Sequence, residues 1–207
     1  MTIYGNLASY SSPHGHQNFF TKALKRIADI VFSALLLVIS SPLFIILAIL
    51  IKRDSPGAVF FRQERVGKNG RLFSMFKFRT MYAEANKYDY HPRGRDDARI
   101  TKIGRMLRKT SLDELPQLMN VITGEMSLVG PRPEMPFIVK EYSQIQKQRL
   151  TVKPGLTGLW QISADRSKPI HENMEYDLYY VNNHSPLLDL AIILRTVISV
   201  IRGIGAH

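Results

Sequence analysis

The feature that most constrains this chain is an uncharged, apolar run from Ile30 to Ile51. As a helix, these 22 residues are long enough to cross a bilayer core of about 30 Å. The run is too long, and lies too far from the start of the chain, for a simple secretory signal. We therefore predict that residues 22–53 form a membrane helix, preceded by a flexible polar arm at residues 1–21.

The charges beside the apolar run constrain its path through a bilayer. Positive residues mark the cytoplasmic side of a membrane segment. Here they stand on both sides of the run, as Lys22, Lys25, Arg26, Lys52 and Arg53. A helix that spans the bilayer would carry one of these two groups to the wrong side.

A Ser41-Pro42 pair near the middle of the run offers another path. Proline has no N–H and clashes with the carbonyl one turn earlier, so it breaks or kinks a helix. Serine hydroxyls can satisfy the carbonyls that proline leaves free. A break here predicts a re-entrant helix with two arms of about 18 Å each, and both basic flanks in the cytoplasm. From the residues alone, a proline-kinked transmembrane helix is the open alternative.

The excess positive charge lies in the middle of the chain. The net charge is +11, of which residues 52–110 contribute +10 and residues 111–207 contribute −1. Such a segment needs an anionic partner: nucleic acid, lipid headgroups or substrate phosphates. With no cysteine, the chain has no disulfide, thiolate zinc site or cysteine nucleophile.

The residues after the membrane helix predict an α+β fold that is mainly helical. Two aromatic-rich runs, 59–66 and 71–79, flank a Gly-Lys-Asn-Gly turn, which indicates a small β-hairpin. On its second strand Lys77 and Arg79 point the same way. Helical patterns follow at 99–109, 118–122, 137–150, 172–182 and 186–204. The last is amphipathic and is expected to contact a membrane surface, so we treat residues 54–207 as one interfacial domain.

Two adjacent carboxylates, Asp113 and Glu114, stand at a predicted helix start after Arg108 and Lys109. Ser111 with Glu114 fits a capping box, a purely structural role. However, a helix that starts at Ser111 would lose a hydrogen bond at Pro116. A later start frees Glu114 for chemistry, because helix N-termini attract phosphate and keep carboxylates ionised.

Arg132 lies between two prolines, which give its backbone a stiff mount. A rigid guanidinium suits bidentate contact with phosphate; a structural ion pair with Glu134 is the alternative. Together the acidic pair and the cations suggest phosphoryl transfer at a membrane surface, in which a carboxylate can be the covalent acceptor. A membrane-tethered module that binds a polyanion without catalysis remains the alternative.

Ordered motifs extend through roughly residues 22–205. They are Lys25-Arg26-Ile27-Ala28-Asp29, Ser41-Pro42, Asp54-Ser55-Pro56-Gly57, Phe60 to Gly67, Lys77-Phe78-Arg79-Thr80-Met81, Ser111 to Gln117, Ser127 to Pro133, and Lys153 to Gln161. In these motifs the chain resembles the monotopic phosphoglycosyl transferases, bacterial sugar transferases that initiate lipid-linked glycan assembly. The resemblance favours the re-entrant helix and the catalytic reading of the acidic pair.

The resemblance implies a two-step reaction with Asp113 as nucleophile and Glu114 as its partner in a catalytic dyad. Asp113 would take a sugar phosphate from a UDP-sugar and release UMP, and undecaprenyl phosphate would then accept it. It also implies Mg²⁺ at Asp113 and Glu114. The phosphate-binding residues it implies are Arg108, Arg132, Lys77 and Arg79.

The same resemblance implies the partners and the location. The partners are a UDP-sugar, undecaprenyl phosphate and membrane lipids, without nucleic acid; a homo-oligomer is left open. The expected location is the bacterial inner membrane, with the active site on its cytoplasmic face. The Leu159-Trp160-Gln161 variant is similar to hexose-1-phosphate transferases of exopolysaccharide and O-antigen synthesis, which implies glucose or galactose. Longer members carry an N-terminal multi-span domain, so this chain is expected to be a minimal catalytic core.

Overall fold

The computed structural model describes residues 19–85, 97–166, 168, 170 and 173–202. The predicted arm at residues 1–21 lies outside the described residues except for its last three positions. The predicted domain boundaries at residues 22, 53 and 54 therefore stay predictions.

The described chain is an α+β fold that is mainly helical, as predicted. The helices are α1 (Phe19–Asp54), α2 (Lys102–Thr110), α3 (Gln117–Thr123), α4 (Pro136–Lys140), α5 (Gln144–Lys147), α6 (Glu175–Asn183) and α7 (Pro186–Ile201). Short 3₁₀ turns lie at Lys68–Gly70, Leu112–Glu114 and Gln148–Thr151. The strands are β1 (Phe60–Val66), β2 (Leu72–Phe78), β3 (Ser127–Val129) and β4 (Gly155–Thr157).

The predicted hairpin is confirmed. Strands β1 and β2 are antiparallel, with Phe60 opposite Phe78 and Val66 opposite Leu72. Asn69 and Gly70 have positive φ angles of 56° and 76°, which is why this turn takes Asn and Gly. A second pair of strands, β3 and β4, is parallel and was not predicted from the sequence.

The single helix predicted at residues 137–150 is wrong. The structure has two short helices there, α4 and α5, followed by a 3₁₀ turn. Ser143 begins the second helix through a capping box, in which its hydroxyl accepts from the Gln146 N–H and its N–H donates to the Gln146 side chain. The capping box therefore starts a new helix within a stretch whose apolar spacing had predicted one continuous helix.

Helix α1 is continuous across Ser41-Pro42, so the helix is not interrupted where a break was predicted. Pro42 has no N–H to donate to Val38 O, and the Ser41 hydroxyl donates to that carbonyl instead, at 2.8 Å. The Ser40 hydroxyl donates to Leu36 O at 2.6 Å. The predicted role of the serines is therefore seen, and it explains why the helix continues.

Both ends of α1 contact the rest of the domain. Near its start the Arg26 guanidinium donates to Val121 O and Ile122 O, at 2.6 and 2.9 Å. Near its end Leu47 and Ile51 are buried in a core cluster with Phe78 and Leu107. These contacts lie near the two ends of α1, and the most exposed side chains of its apolar run, Val38 and Ile39, lie between them.

The middle of α1 carries the apolar surface that membrane association requires. Val38 and Ile39 are 71% and 66% exposed. Among the described residues, α1 is the one helix long and apolar enough to cross a membrane, judged by length and composition. Re-entrant placement in a bilayer stays a prediction.

Helix α7 has a second apolar face that the domain does not cover. Ile192 is fully buried, whereas Leu187, Leu194 and Ile201 on the other side are at least half exposed. Asp189 in its first turn accepts from Lys25 Nζ of α1 at 2.7 Å, which ties the two helices together. The helix predicted at residues 186–204 is confirmed as α7, and its contact with a membrane stays a prediction.

Candidate active site

The acidic pair lies in the 3₁₀ turn between α2 and α3. Ser111 ends α2 in the left-handed conformation, with φ 57°, and its side chain makes no capping hydrogen bond. The capping box predicted as the structural alternative is therefore absent from this turn. Helix α3 begins at Gln117, directly after Pro116, so the proline removes no helical hydrogen bond. Both carboxylates are free of a capping role.

Glu114 is held by two cations. Its Oε1 accepts from Lys77 Nζ at 2.7 Å and from Arg132 Nη2 at 3.4 Å. Burial acts to raise the pKa of Glu114, but Lys77 and Arg132 outweigh it and lower the pKa to about 2. Glu114 is therefore a fixed anion that orients Lys77 and Arg132.

Asp113 is buried beside Glu114 but lacks equivalent partners. It is 6% exposed, and its Oδ2 lies 4.0 Å from Lys77 Nζ. Its Oδ1 is buried and has no hydrogen-bond partner among the described residues. Burial raises the pKa of Asp113 to about 6, against the attraction of Lys77, and the charge of Glu114 adds to the rise. At neutral pH Asp113 is mostly ionised, and its carboxylate is poorly solvated.

Arg132 stands on a backbone segment, residues 131–134, that is anchored at every carbonyl. The carbonyls of Pro131, Arg132, Pro133 and Glu134 accept from Gly155 N (2.8 Å), Arg149 Nη2 (2.6 Å), Arg65 Nη1 (3.2 Å) and Val66 N (2.9 Å), respectively. The two prolines predicted that this backbone segment is stiff. The four hydrogen bonds from distant residues fix its orientation in the fold. The guanidinium of Arg132 therefore projects from a fixed mount.

Arg149 is a positioning residue that sequence reasoning missed. Its side chain is buried, donates to Asp177 Oδ2 through Nε at 3.0 Å, and donates also to the Tyr142 hydroxyl. Arg149 and Asp177 are 28 residues apart, so no local spacing connects them. The sequence offered one indication of this role, which is that Arg149 lies near the end of the apolar helical pattern at residues 137–150.

The remaining predicted phosphate-binding residues fall into two groups. Lys77 contacts Glu114 of the acidic pair. Burial lowers the pKa of Arg108, and the negative charge of the nearby Asp113 partly opposes that shift. Arg108 Nε donates to the Thr80 hydroxyl at 2.9 Å. Lys77 and Arg132 therefore contact the acidic pair directly, and Arg108 adds positive charge near Asp113.

Arg79 is not brought to the acidic pair. Its buried guanidinium donates to Ser55 O at 2.7 Å, to Ile51 O at 3.4 Å and to Pro56 O. These carbonyls lie at the end of α1 and in the turn after it. Arg79 is two residues after Lys77, but it lies just beyond the end of β2 and so need not share the side of the strand on which Lys77 lies. Its hydrogen bonds connect the end of α1 and the turn after it to the hairpin. Ser41 and Pro42 also lie outside the site, on α1.

The acidic pair offers two carboxylates for Mg²⁺. Among the described residues, no group of three or more His, Cys, Asp or Glu side chains could hold a metal ion. Mg²⁺ commonly binds one or two carboxylates and completes its shell with water and substrate phosphates. The unpartnered Oδ1 of Asp113 is a suitable ligand, and both cations on Glu114 contact Oε1. The residues therefore fit a Mg²⁺ ion that arrives with a diphosphate.

A long apolar helix, a buried acidic pair and three nearby cations match the features predicted from the sequence for phosphoryl transfer at a membrane surface. The family model described as bacterial sugar transferase matches residues 20–203. The chain belongs to this family, which confirms the resemblance found in the motifs.

Curated relatives agree with this assignment. The chain is 38% identical to the undecaprenyl-phosphate galactose phosphotransferase of Salmonella typhimurium, over 100% of this chain and 44% of that protein. It is 38% identical to the exopolysaccharide production protein ExoY of Sinorhizobium fredii, over 88% of each chain. It is 42% identical to the UDP-glucose:undecaprenyl-phosphate glucose-1-phosphate transferase of Klebsiella pneumoniae, over 87% of this chain and 40% of that protein. The chain thus spans less than half the length of two of these relatives.

Proposed function

We propose that this protein transfers a hexose-1-phosphate from a UDP-hexose to undecaprenyl phosphate, through a covalent intermediate on Asp113. The observation that carries the proposal is the asymmetry of the acidic pair. Glu114 is neutralised by Lys77 and Arg132, whereas Asp113 keeps an unpartnered oxygen. The charge of Glu114 is paired with two cations, so Asp113 is the carboxylate better suited to act as a nucleophile.

In the first step an Asp113 oxygen attacks the phosphorus that bears the sugar. The bond from that phosphorus to the bridging oxygen breaks, and UMP leaves with the bridging oxygen. In the second step a phosphate oxygen of undecaprenyl phosphate attacks the same phosphorus. The bond to Asp113 breaks, which restores the carboxylate and yields undecaprenyl-diphosphate-hexose.

The cations around the pair suit both steps. Arg132 and Lys77 can donate to phosphoryl oxygens, whose charge must be stabilised in the transition state. Arg108 adds positive charge on the Asp113 side. When bound, Mg²⁺ held by Asp113 and Glu114 would neutralise diphosphate charge and favour departure of UMP.

The proposal is tested by mixing the purified protein with the donor alone. We expect release of UMP and a mass increase that equals one hexose phosphate, localised by peptide mapping to Asp113. Addition of undecaprenyl phosphate should remove the adduct. Donor consumption without any adduct would contradict the covalent route, and the absence of UMP release from every UDP-hexose would contradict the proposed reaction.

We also propose that α1 enters and leaves the cytoplasmic leaflet of the bacterial inner membrane. Contacts of both of its ends with one domain support this path. Because the chain has no cysteine, Lys22→Cys and Arg53→Cys can be labelled singly. In right-side-out vesicles we expect neither site to react with an impermeant maleimide until the membrane is opened. Labelling of one site before opening would show that α1 spans the bilayer.

A further inference from the structure

Beside the acidic pair lies a cluster of buried polar atoms that the proposed reaction does not use. Trp160 Nε1, Gln161 Oε1 and Gln161 Nε2 are each buried and have no hydrogen-bond partner among the described residues. An unpaired buried polar group carries a desolvation cost, so such groups require an explanation. Two neighbouring side chains with three such atoms form a more specific feature than a single unpaired atom.

The cluster is joined to the reactive centre through Arg132. The Arg132 guanidinium carbon lies 5.5 Å from the centre of the Trp160 ring, and Nη2 of the same group lies 3.4 Å from Glu114 Oε1. One guanidinium group thus separates the indole ring from the dyad. The indole ring therefore lies on the Arg132 side of the acidic pair.

The carboxamide of Gln161 lies beside the start of the segment that carries Arg132. A Cβ atom built on Gly158 would stand 2.9 Å from Gln161 Oε1 and would also collide with the carbonyl of Gly130, the residue before Pro131. The turn that bears both side chains is internally bonded, since Ser163 donates to Trp160 O through its N–H at 3.0 Å and its hydroxyl at 2.8 Å. The cluster is therefore held in place.

The chemistry of the three atoms matches a sugar. The indole N–H donates only, whereas the carboxamide donates through Nε2 and accepts through Oε1. A hydroxyl group both donates and accepts, so the hydroxyl groups of a hexose can pair with donors and acceptors of both kinds. The sugar is bonded directly to the phosphorus that Asp113 attacks, whereas uracil is separated from it by a ribose and a second phosphate.

We propose that Trp160 and Gln161 form the subsite that binds hydroxyl groups of the donor hexose. This inference rests on the proposed function. It makes Trp160 and Gln161 residues that determine sugar preference, with Arg132 between the Trp160 ring and the acidic pair.

The test uses the full chain, the UDP-hexose that it turns over fastest, and the four monodeoxy analogues of that donor. The variants are Trp160→Phe, which keeps an aromatic ring beside Arg132 and removes the N–H, and Gln161→Leu. The exposed Gln148→Leu serves as the matched control. UMP release gives kcat/KM, and inhibition by UMP reports the uridine part of the donor separately.

We expect each variant to lose about 10- to 100-fold in kcat/KM with the full hexose, the size of one buried hydrogen bond. The analogue that lacks the contacted hydroxyl should already be slow with the parent and should lose little more with the variant. Inhibition by UMP should change by less than about threefold, and Gln148→Leu should match the parent.

Three results would overturn the subsite. The first is an equal loss with the full hexose and all four analogues, and the second is no loss with either variant. The third is weakened inhibition by UMP, which would assign the cluster to uracil. If the parent releases no UMP from any UDP-hexose, the proposed function fails and the subsite fails with it, whereas turnover with unchanged preference overturns the subsite alone.

Discussion

Asp113→Asn is expected to abolish UMP release while the protein stays folded and membrane-bound. The amide keeps the shape of the side chain but cannot form the acyl phosphate, so we expect kcat/KM to fall by at least roughly three orders of magnitude. UMP release with donor alone measures the first step directly. The exposed Glu64→Gln is the matched control and should retain parental activity.

The same variant is expected to be more stable than the parent. Burial raises the pKa of Asp113 to about 6, above its usual value of 3.8, so the folded state disfavours the ionised form. The resulting destabilisation is absent below the unfolded pKa, develops between the two pKa values and is complete above pH 6. At pH 7.5 the neutral amide avoids it, and a higher melting temperature should result. Parental turnover by Asp113→Asn would exclude Asp113 as nucleophile.

Asp177→Asn is expected to have the largest effect on stability. Asp177 and Arg149 are 1% and 2% exposed in their side chains, and the substitution leaves the Arg149 guanidinium buried without its counter-charge. Removal of one partner of a buried ion pair typically costs about 3–5 kcal/mol of unfolding free energy. Chemical denaturation of the parent and the variant measures this difference.

The Asp177→Asn substitution should also weaken binding of the donor at the active site. Arg149 Nη2 donates to Arg132 O, so displacement of Arg149 releases the mount of Arg132, and KM for the donor should rise. The double variant Arg149→Met/Asp177→Leu separates the two effects. It should recover much of the stability, because it removes both charges, but not the donor affinity. Parental KM in the double variant would show that Arg149 does not position Arg132.

Patterns within short stretches of sequence were enough for several features of the fold. The hairpin follows from Asn-Gly between aromatic runs, and the identity of α1 follows from an uncharged run of helical length. The continuity of α1 at Pro42 also depends on local chemistry. The Ser41 hydroxyl donates to Val38 O in place of the N–H that Pro42 lacks. The serine made this hydrogen bond foreseeable, but the sequence alone did not show that the helix would continue rather than break.

The site was only partly predictable because its contacts join distant residues. The motif identified Asp113 and Glu114, but the distinction between them arises from Lys77 and Arg132, which lie 37 and 18 residues from Glu114. Strand alternation grouped Arg79 with Lys77. The end of β2 separates them, and the carbonyls at the end of α1 bind Arg79.

The sequence by itself determined the long apolar helix, the hairpin and the acidic pair, because each is encoded within one short stretch of residues. Tertiary structure alone decided which carboxylate is neutralised, which arginines reach it, and how Arg132 is aimed. Those outcomes depend on cations and carbonyls that meet only after folding, and on burial, which changes the pKa values of two adjacent acids in opposite directions.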